Sequence, residues 1–497
     1  MLSRVLNAFL TRLVAPPSPV DVEEQQLQAL LQHLRRSSRT ELGRKYRVHE
    51  VRSIADYQAR VPVHHPDDLA PLWKREGEGE VGLTVPERLE LFAASTGTTG
   101  SPKRLPVPRS FLAANRRREA QVLAEFIRAN PGTRLLTKKT LAVTGGTDLG
   151  ALPGGARLGT ISGWMSVQTP WLLRRNLVPD RGTIDCHDWE EKKRRTAEQI
   201  RGLEVGILLA LPPAAVDFLH TLRRAWPQGE YTAFVRNLEV LCLSGVKYRL
   251  YREELADLLG RPPPVAELYS ASEGIFGWYF SSEEDAGLHL LHDSIFFELV
   301  DLDEYHRGNL GRRHLLTQAK PGRRYAVVVT PGNGALSYLI GDVLECASLS
   351  PMRFKLVGRT TMSLNLVGEK VSIDAIEASV GRLSVELGTS FGEFLVAPNL
   401  RAGTPGYLWV FEEHPALRSM GHEQLAGRLD EHLRGCAIGY EFYKEQLARS
   451  EVVLADRAAL RTWLARRSAD TCHAKVPRIV DREEAVAELL AAVRPGR

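Results

Sequence analysis

The sequence predicts a mixed α/β protein with a large N-terminal body and a smaller C-terminal domain. Within residues 1–358, short apolar runs rich in branched side chains alternate with segments of helical periodicity, which is typical of α/β layers. A hinge is expected over 359–370, and a second series of strand and helix patterns fills 371–497. With 497 residues, 43% of them hydrophobic and 25% charged, the chain can bury several cores without disulfides or metal ions.

The first 130 residues combine helices with one strand that leads into a motif. Apolar residues at helical spacing over 2–13 are interrupted by arginines, so they predict an amphipathic helix docked on the body and not a signal peptide. Helical patterns continue over 20–59, whereas 61–90 is rich in proline and acidic residues and predicts loops between short elements. An apolar strand over 89–94 is followed, after a Ser/Thr/Gly-rich segment, by a helix with a basic face over 110–129.

The middle of the chain carries most of the predicted strands. Helices are expected over 213–225 and 247–260, and the glycine-rich segment 145–159 predicts a loop or close backbone approaches. Apolar runs predict strands at 205–211, 238–244, 265–269, 295–300 and 325–330. This alternation of strands and helices supports the α/β assignment.

The C-terminal domain is predicted to begin near Gly358, with the boundary between residues 357 and 370. Strand patterns span 394–397 and 407–411, and helical patterns follow at 422–435, 455–466 and 482–493. The expected result is a small α+β domain.

Composition excludes several classes of protein. The net charge is only +5, and the short basic runs at 116–118 and 192–195 are expected to be solvated helix faces, so no nucleic-acid partner is predicted. Five scattered cysteines without a Cys-x-x-Cys pair argue against a disulfide framework or a zinc ribbon and favour the cytoplasm. The longest apolar run, 205–216, contains Pro212 and Pro213 and is too short to span a bilayer, so a soluble protein without a membrane partner is expected.

The first chemical motif is the segment 95–103, which reads STGTTGSPK. Its hydroxyl groups and backbone N–H groups can converge on an anion, and Lys103 adds a mobile charge for phosphate oxygens. It is not a Walker A loop, because Pro102 stands where the glycine before the lysine is required. A polar surface turn is the ordinary alternative.

The second motif is the segment 269–274, YSASEG, directly after a predicted strand. Ligands of open α/β sheets bind beyond the carboxyl ends of strands, where this segment lies. Glu273 could hold Mg²⁺ and Tyr269 could offer its ring to a purine, although an exposed loop carboxylate is the simpler interpretation of Glu273 taken alone. The aromatic run that follows could line an organic-acid pocket or pack in the core.

Three further segments carry polar residues next to strands. Asp342, after a glycine, could accept hydrogen bonds from ribose hydroxyls or could cap a turn. Arg359, followed by Asn365 and Lys370, forms a plausible hinge, although a plain exit from a strand is equally consistent with these residues. Lys475, in a Lys-Val-Pro-Arg sequence, belongs to a cationic loop near the C-terminus, for which surface charge is the ordinary interpretation.

Taken together, the order and spacing of these segments resemble the adenylate-forming superfamily of acyl-CoA synthetases, luciferases and peptide-synthetase adenylation domains. They resemble more closely the Gretchen Hagen 3 family of acyl acid amido synthetases. The phosphate-loop pattern closes with Arg104 and Pro106 as in that branch, and 269–273 matches its Tyr-x-x-Ser-Glu. The resemblance extends from about residue 24 to the C-terminus.

The resemblance implies a site for ATP and Mg²⁺ in a large domain with mixed sheets and a β-barrel, closed by a mobile C-terminal cap. Glu273 would serve the metal. The implied catalytic residues are Lys103, Arg359, Lys370 and Lys475. The implied nucleotide-binding residues are Ser95, Thr96, Gly97, Thr98, Thr99, Tyr269, Ala271, Ser272 and Asp342.

The sequence departs from the family pattern at three places. Leu339 stands where the family has an arginine before Gly-Asp, and the superfamily's hinge aspartate is absent near Met362. The assignment of Lys475 depends on the narrower family alone, because the superfamily's Gly-Lys is replaced by Lys-Val-Pro.

The implied activity is ATP-dependent joining of a small carboxylic acid to an amino acid or another amine by a cytoplasmic, monomeric enzyme. Two alternatives remain open, namely an acyl-CoA ligase that uses the same first step and a nucleotide-binding pseudoenzyme. Candidates for the acid pocket are Thr144, Trp164, Met165, Leu211, Phe276 and Trp278. The sequence leaves open which acid and which amine are joined.

Overall fold

The structure is a computed structural model. It describes residues 2–14, 21–94, 103–169, 174–262, 264–284, 286–360, 363–364, 366–367, 369, 371–399, 405–437, 440, 444–466, 476–480 and 483–493. Two compact units are formed. The first contains Met1–Val246 and Pro264–Val357, and the second contains Lys247–Pro263 and Gly358–Arg497.

The first unit begins with helices α1 (Leu2–Leu13), α2 (Val22–Ser37), α3 (Glu41–Lys45), α4 (Ile54–Arg60) and α5 (Pro66–Gly77). Helix α5 lies in a segment that was predicted to be mostly loops. Proline is favourable at the first helical position and acidic residues are favourable in the first turn, so a composition typical of loops here starts a helix. Burial of Leu69 and Trp73 then stabilises it.

The helices of both units are numbered together in chain order, and α12 (Arg252–Leu259) belongs to the second unit. The remaining helices of the first unit are α6 (Arg109–Ala129), α7 (Ile161–Val167), α8 (Arg181–Ile184), α9 (Trp189–Ile200), α10 (Pro212–Ala225), α11 (Gln228–Asn237) and α13 (Leu302–His306). No helix among the residues that the structure describes combines the length and the apolar character needed to cross a bilayer.

The strands of the first unit are β1 (Leu91–Ala94), β2 (Arg104–Pro106), β3 (Lys139–Val143), β4 (Arg157–Gly159), β5 (Leu177–Val178), β6 (Val205–Ala210), β7 (Val240–Ser244), β8 (Val265–Ala271), β9 (Gly274–Phe280), β10 (His289–Leu290), β11 (Phe296–Asp301), β12 (Arg324–Thr330), β13 (Tyr338–Leu349) and β14 (Met352–Arg359). The strands predicted in the middle of the chain are confirmed, with ends shifted by one or two residues.

Among the described residues these strands form three sheets. The largest has the order β10-β9-β8-β7-β6-β3-β5, in which β5, β3, β6, β7 and β8 run parallel and β9 is antiparallel to both of its neighbours, β8 and β10. A second sheet has the order β11-β12-β13-β14, and a small third sheet has the order β2-β1-β4. One contiguous apolar cluster contains side chains from all three sheets.

The second unit contains β15 (Ser363–Leu364), β16 (Val371–Ser372), β17 (Phe394–Asn399), β18 (Gly406–Glu412), β19 (Glu451–Ala455), α12 (Arg252–Leu259), α14 (Ile373–Leu387), α15 (Pro415–Met420), α16 (His422–Arg434), α17 (Arg457–Ala465) and α18 (Glu483–Val493). Strands β17, β18 and β19 form a sheet with an apolar cluster on each face. Successive side chains of β18 point to opposite faces of the sheet, so Trp409 packs in one cluster and Val410 in the other.

Two basic runs that were expected to be solvated helix faces are solvated only in part, because Arg117, Arg194 and Arg195 are exposed whereas Arg118, Lys192 and Lys193 are buried. Arg118 is 1% exposed and donates hydrogen bonds to Asn115 and Ser294. The Lys192 ammonium donates to two backbone carbonyls, and Lys193 lies 2.8 Å from the Asp217 carboxylate. Buried cations of this kind fix loops because each one needs acceptors that only the folded chain supplies.

Candidate active site

The ends of the predicted phosphate loop are held by a strand pair. Residues 95–102 lie outside the described residues, but β1 and β2 flank them and pair antiparallel, with Ala94 opposite Arg104. This pairing brings the two ends of the loop together. Leu91 and Leu105 are buried in the main apolar cluster, and Lys103, half-buried, directly precedes β2.

The Ser-Glu segment of the second motif is a tight connection between β8 and β9. Ala271 pairs with Gly274, so Ser272 and Glu273 form the turn. Ala271 and Ser272 are half-buried, whereas Glu273 is 6% exposed. A carboxylate so far removed from water requires compensating donors or a cation, and its oxygens are suitable ligands for Mg²⁺.

Helix α6 supports this turn from behind. Gly274 has φ +144°, and a Cβ atom there would lie 3.4 Å from the Arg118 guanidinium and 3.6 Å from the Asn115 amide oxygen. That same oxygen accepts hydrogen bonds from the Ile275 N–H at 3.2 Å and from Arg118 Nη1 at 2.9 Å. The turn therefore favours glycine for its backbone angle, while α6 would lie in ordinary van der Waals contact with a Cβ atom at this position.

A β-bulge separates the aromatic residues that follow the turn. Tyr269 pairs with Gly277 and Ser270 pairs with Ile275, so Phe276 is an extra residue in β9. Phe276 consequently packs with Tyr269, with ring centroids 5.2 Å apart, in the main cluster. Trp278 lies in a different cluster and stacks on His289 at 4.2 Å.

A second β-bulge, in β13, determines the position of Asp342. Val328 pairs with Leu339 and Ala326 pairs with Val343, so β13 contains two residues more than β12 between these pairs. Gly341 lies in this bulge with φ +87°, a conformation that favours glycine. Asp342 is half-buried, and its Oδ2 accepts a hydrogen bond of 2.9 Å from the Tyr269 hydroxyl.

The flanks of all three motifs belong to one core. The main apolar cluster contains residues beside the phosphate loop, beside the Ser-Glu turn and beside Asp342, namely Leu91, Leu105, Tyr269, Phe276, Tyr338 and Ile340. The Tyr269–Asp342 hydrogen bond joins the second motif to the third directly. Segments that are distant in sequence thus pack into one core of the first unit. Leu339, at the position of the family arginine, points into a separate apolar cluster.

Two acid-pocket candidates lie at neighbouring strand ends. Thr144 follows β3 and Leu211 follows β6, and these parallel strands pair with Val143 opposite Ala210. Both residues are buried at the carboxyl edge of the sheet, where ligands of α/β proteins bind. Trp164 is fully buried and donates from its indole N–H to the Phe92 carbonyl at 3.0 Å, and Met165 is buried in the same cluster.

Sequence reasoning missed a stretch of the central sheet that is only partly buried. Leu209, Cys242 and Leu268 share one face of three adjacent central strands and are half-buried, whereas Leu208 and Leu241 on the other face are fully buried. Central parallel strands are ordinarily covered on both faces. Here Cys242 and Leu268 pack against the apolar cluster that contains Val122 and Phe126 of α6, and they remain only half-buried. No sequence pattern distinguishes a half-buried strand face from a buried one.

Two side chains of α6 belong to the same region. Burial raises the pKa of Glu119 to about 7, against the opposing effect of Arg116. Burial and then the charge of Glu119 raise the pKa of Cys242 to about 12, and Cys242 packs against the apolar cluster that contains Val122 and Phe126 of the same helix. Both residues were overlooked because a mixed charge pattern on a helix usually indicates a solvated face.

Of the cations predicted at the hinge and in the C-terminal unit, the structure describes only Arg359. Arg359, the last residue of β14, is exposed. Lys370 and Lys475 lie outside the described residues. Their neighbours are firmly held, because Glu369 accepts hydrogen bonds from the N–H groups of Leu366 and Val367, and Arg478 lies 3.0 Å from Glu393.

Comparison with known proteins identifies the family. The model of the GH3 family N-terminal domain matches residues 19–228, and that of the GH3 family central domain matches residues 288–359. The GH3.10 protein of Oryza sativa subsp. japonica is 25% identical over 402 residues, which cover 71% of this chain and 82% of that protein. The indole-3-acetic acid-amido synthetase GH3.8 of Oryza sativa subsp. indica is 24% identical over 219 residues, covering 41% of this chain and 35% of the relative.

Solved structures agree on the fold. The GH3.15 acyl acid amido synthetase in complex with 2,4-DB superposes with a TM-score of 0.79 at 18% identity, covering 99% of this chain and 96% of that chain. A 2-hydroxyisobutyryl-CoA ligase in the postadenylation state superposes with a TM-score of 0.61 at 16% identity, covering 97% and 94%. The matched family domains cover more than half of the 497 residues, and this chain belongs to the GH3 family.

Proposed function

We propose that this protein is an ATP-dependent acyl acid amido synthetase. It converts a carboxylic acid and ATP to an acyl-AMP and pyrophosphate, and then transfers the acyl group to an amino acid or another amine with release of AMP. The observation that carries the proposal is the convergence of the three motif flanks on one core, with Tyr269 bonded to Asp342. Membership of the GH3 family supports the same reaction class.

The two-step reaction follows from the chemistry of carboxylates. A carboxylate is a poor electrophile, and oxide is a poor leaving group, so an amine cannot displace it directly. Attack of the carboxylate oxygen on the α-phosphorus of ATP forms a mixed anhydride and breaks the bond to pyrophosphate. The amine nitrogen then attacks the acyl carbon, the bond to AMP breaks, and the amine loses a proton.

In this proposal the first unit binds the nucleotide. Residues 95–103 hold the phosphates, Asp342 binds the ribose hydroxyls, and Tyr269, Ala271 and Ser272 border the adenine and the acyl group. The buried Glu273 carboxylate suits Mg²⁺, which would offset charge on the phosphates. The hydrogen bond from Tyr269 keeps Asp342 oriented while its remaining acceptor capacity serves the ribose.

The second unit supplies cations in the same proposal. Lys475 stabilises charge on the α-phosphate during adenylation, and Arg359 and Lys370 act at the hinge. Rotation of this unit between the half-reactions would exclude water and admit the amine. A β-barrel in the first unit, a monomeric state and a cytoplasmic location complete the proposal.

The direct test is a pyrophosphate-release assay with ATP, Mg²⁺ and panels of aromatic, indolic and aliphatic acids, with a mixed amino acid pool. We expect release with at least one acid and a matching amide by mass spectrometry. Substitution Lys475→Ala should reduce adenylation by about 10²–10³-fold, as expected when one stabilising charge is lost, while supplied acyl-AMP is still converted to amide. Equal loss of adenylation and of amide formation would show that Lys475 does not have this role.

An acyl-CoA ligase is the second candidate, favoured by the similarity of fold to the 2-hydroxyisobutyryl-CoA ligase. With an accepted acid, coenzyme A and amino acids are offered in competition for preformed acyl-AMP. The amido synthetase proposal predicts amide as the main product. Predominant thioester would establish the ligase instead.

A further inference from the structure

Helix α1 is held to the first unit by one face and presents exposed side chains on the other. On the inner face, the buried Asn7 donates from its side-chain amide to the Thr133 carbonyl at 2.9 Å. The Arg128 guanidinium donates to the Thr11 carbonyl of the helix at 3.0 Å. These contacts, one turn apart on α1, fix the helix on the body, so its opposite face is turned outward.

Three large apolar side chains form a row along this outward face. Val5, Phe9 and Leu13 follow one another at intervals of four residues, the spacing of neighbours on a helix surface, and they are 59%, 64% and 71% exposed. Among the described residues, only three other large apolar side chains are exposed, and they are scattered singly along the chain. Single exposed apolar side chains are ordinary, whereas a contiguous row in one element indicates a surface that binds something.

A row of cations runs beside the apolar row. Arg4 and Arg12 are exposed, and the exposed Ala8 lies between them at the same helical spacing. Helix α1 contains no acidic residue, and neither arginine forms an ion pair in the part of the chain that the structure describes. The outward face therefore combines an apolar row with an uncompensated positive row.

An anionic lipid surface is complementary to both rows. A helix that lies in a membrane interface inserts its apolar side chains below the headgroups, while its arginines remain level with the phosphates. Negative headgroups also attract basic side chains near the surface. A bilayer needs access to the helix from one side only, and a helix docked on a protein body offers that access.

Other occupants fit the face less well. Antiparallel pairing with a second copy of α1 would place Arg4 beside Arg12 of the other copy, with no acidic side chain on either helix to offset the repulsion. A groove on another protein surrounds the apolar face of a helix on both sides, whereas α1 is already bound along its inner face.

We propose that α1 binds the surface of an anionic lipid bilayer, with Val5, Phe9 and Leu13 inserted among the acyl chains and Arg4 and Arg12 at the phosphates. The contact is peripheral and reversible, because three inserted side chains bury little apolar area. It differs from the expectation, drawn from composition, that the protein has no membrane partner. Composition tests for a segment that spans a bilayer and does not reveal an exposed row on a short helix. The proposal is independent of the amido synthetase function.

The test measures the partition of the full-length protein onto lipid vesicles by sedimentation. Vesicles of phosphatidylcholine alone are compared with vesicles that also contain phosphatidylglycerol. Since each cation near an anionic surface adds to binding, we expect a partition coefficient at least about tenfold higher on the anionic vesicles, and a decrease as salt is raised.

One pair of variants tests the apolar row. Phe9→Gln should lower the partition coefficient on anionic vesicles about tenfold or more, and Val5→Gln should lower it a few-fold, because each removes an inserted apolar side chain. Val385→Gln is the matched control for Val5→Gln. Val385 is 76% exposed in α14 and lies outside the row, so its substitution should leave the partition coefficient unchanged.

A second pair of variants tests the cationic row. Arg4→Gln combined with Arg12→Gln should remove most of the preference for anionic vesicles. Arg35→Gln combined with Arg39→Gln removes the same charge from exposed arginines elsewhere and should keep the preference. Every substituted side chain in these variants is exposed, so all of the variants should melt at the Tm of the wild type.

The possible outcomes separate this proposal from its alternatives. Equal partition onto both kinds of vesicle, no detectable partition onto either, or equal partition of the wild type and the row variants would overturn it. A dimer of the wild type that becomes a monomer in Phe9→Gln, seen by light scattering, would assign the row to a second copy instead. None of these results bears on the amido synthetase function, which pyrophosphate release tests separately.

Discussion

At the scale of single residues, the hydrogen bond from Tyr269 to Asp342 is the contact that ties the candidate site together. The Tyr269 ring is buried against Phe276, while its hydroxyl reaches a carboxylate 73 positions away in the chain. Hydrogen bonds to charged groups contribute about 1.5–3 kcal/mol. Loss of this one should act on nucleotide binding through the orientation of Asp342.

Substitution Tyr269→Phe should therefore raise the KM for ATP by about tenfold, corresponding to roughly 1.4 kcal/mol, with a small change in the free energy of unfolding. Steady-state pyrophosphate release at varied ATP measures it. The control is Tyr57→Phe, which removes a buried hydroxyl bonded to Thr330 at 2.8 Å and should lower stability without changing the KM. An unchanged KM for ATP in the Tyr269→Phe variant would contradict the assignment of Asp342 to ATP binding.

A second prediction at this scale concerns pH. The pKa of Glu119 is about 7 in the folded protein and near its ordinary value of 4.5 in the unfolded chain. The unfolded chain therefore loses this proton first, and stability that is complete below pH 4.5 declines as pH rises to about 7. Because the side chain is partly accessible, we expect a loss of about 1–2 kcal/mol.

Glu119→Gln should abolish that part of the pH dependence. Urea unfolding at pH 5 and pH 8 is compared for the two proteins. The free energy of unfolding of the variant, relative to that of the wild type, should be higher at pH 8 than at pH 5. A constant difference in the free energy of unfolding across this range would show that Glu119 is ionised in the folded state throughout.

At the scale of elements, the β8–β9 turn and α6 pack together and are joined by a hydrogen bond. Asn115, itself bonded to Arg118, accepts a hydrogen bond from the backbone just after Glu273, and the positive φ of Gly274 favours glycine at that position. The bulges at Phe276 and Gly341 act similarly, because each redirects a strand so that a functional side chain leaves the regular alternation. Irregular points in otherwise regular strands thus position the site.

Gly274→Ala should lower the free energy of unfolding by about 1–3 kcal/mol, since φ +144° is unfavourable for alanine. The Mg²⁺ concentration needed for half-maximal activity should also rise, because Glu273 is displaced. Gly229→Ala is the control. This glycine lies within α11 with open space around it, so alanine should stabilise the protein slightly. Equal stability changes in both variants would contradict the structural argument.

At the scale of the whole molecule, the division into two units does not follow chain order. Residues 247–263 lie in sequence between β7 and β8 but group with the C-terminal unit. Within that unit Lys247 lies 2.5 Å from Glu377, and Tyr251 donates to Glu393 at 2.8 Å. Arg478 is the centre of the same charged network, 3.0 Å from Glu393 and over the ring of Phe394.

Removal of a partner from a buried charge network costs about 3–5 kcal/mol, so Arg478→Met should selectively destabilise the C-terminal unit. Calorimetry should show an early unfolding transition for this unit, separate from that of the first unit. The exposed Arg449 provides the control variant Arg449→Met, expected to unfold like the wild type. A single, uniformly shifted transition would indicate that the units unfold together.

The sequence by itself determined the strands, most helices and the order of the motifs. Apolar runs and helical periodicity are local properties, and the residues of 95–103 and 269–274 carry their chemistry in their identities. Family resemblance added the reaction class, which the GH3 domains support.

Only the tertiary structure decided which side chains meet. The Tyr269–Asp342 bond, the burial of Arg118, the half-buried face of the central strands and the grouping of 247–263 with the C-terminal unit all depend on contacts between distant parts of the chain. The bulge at Phe276 depends on the pairing partner of β9 as well as on β9 itself. Burial and pairing are properties of the assembled core, because a residue's local pattern does not reveal what packs against it.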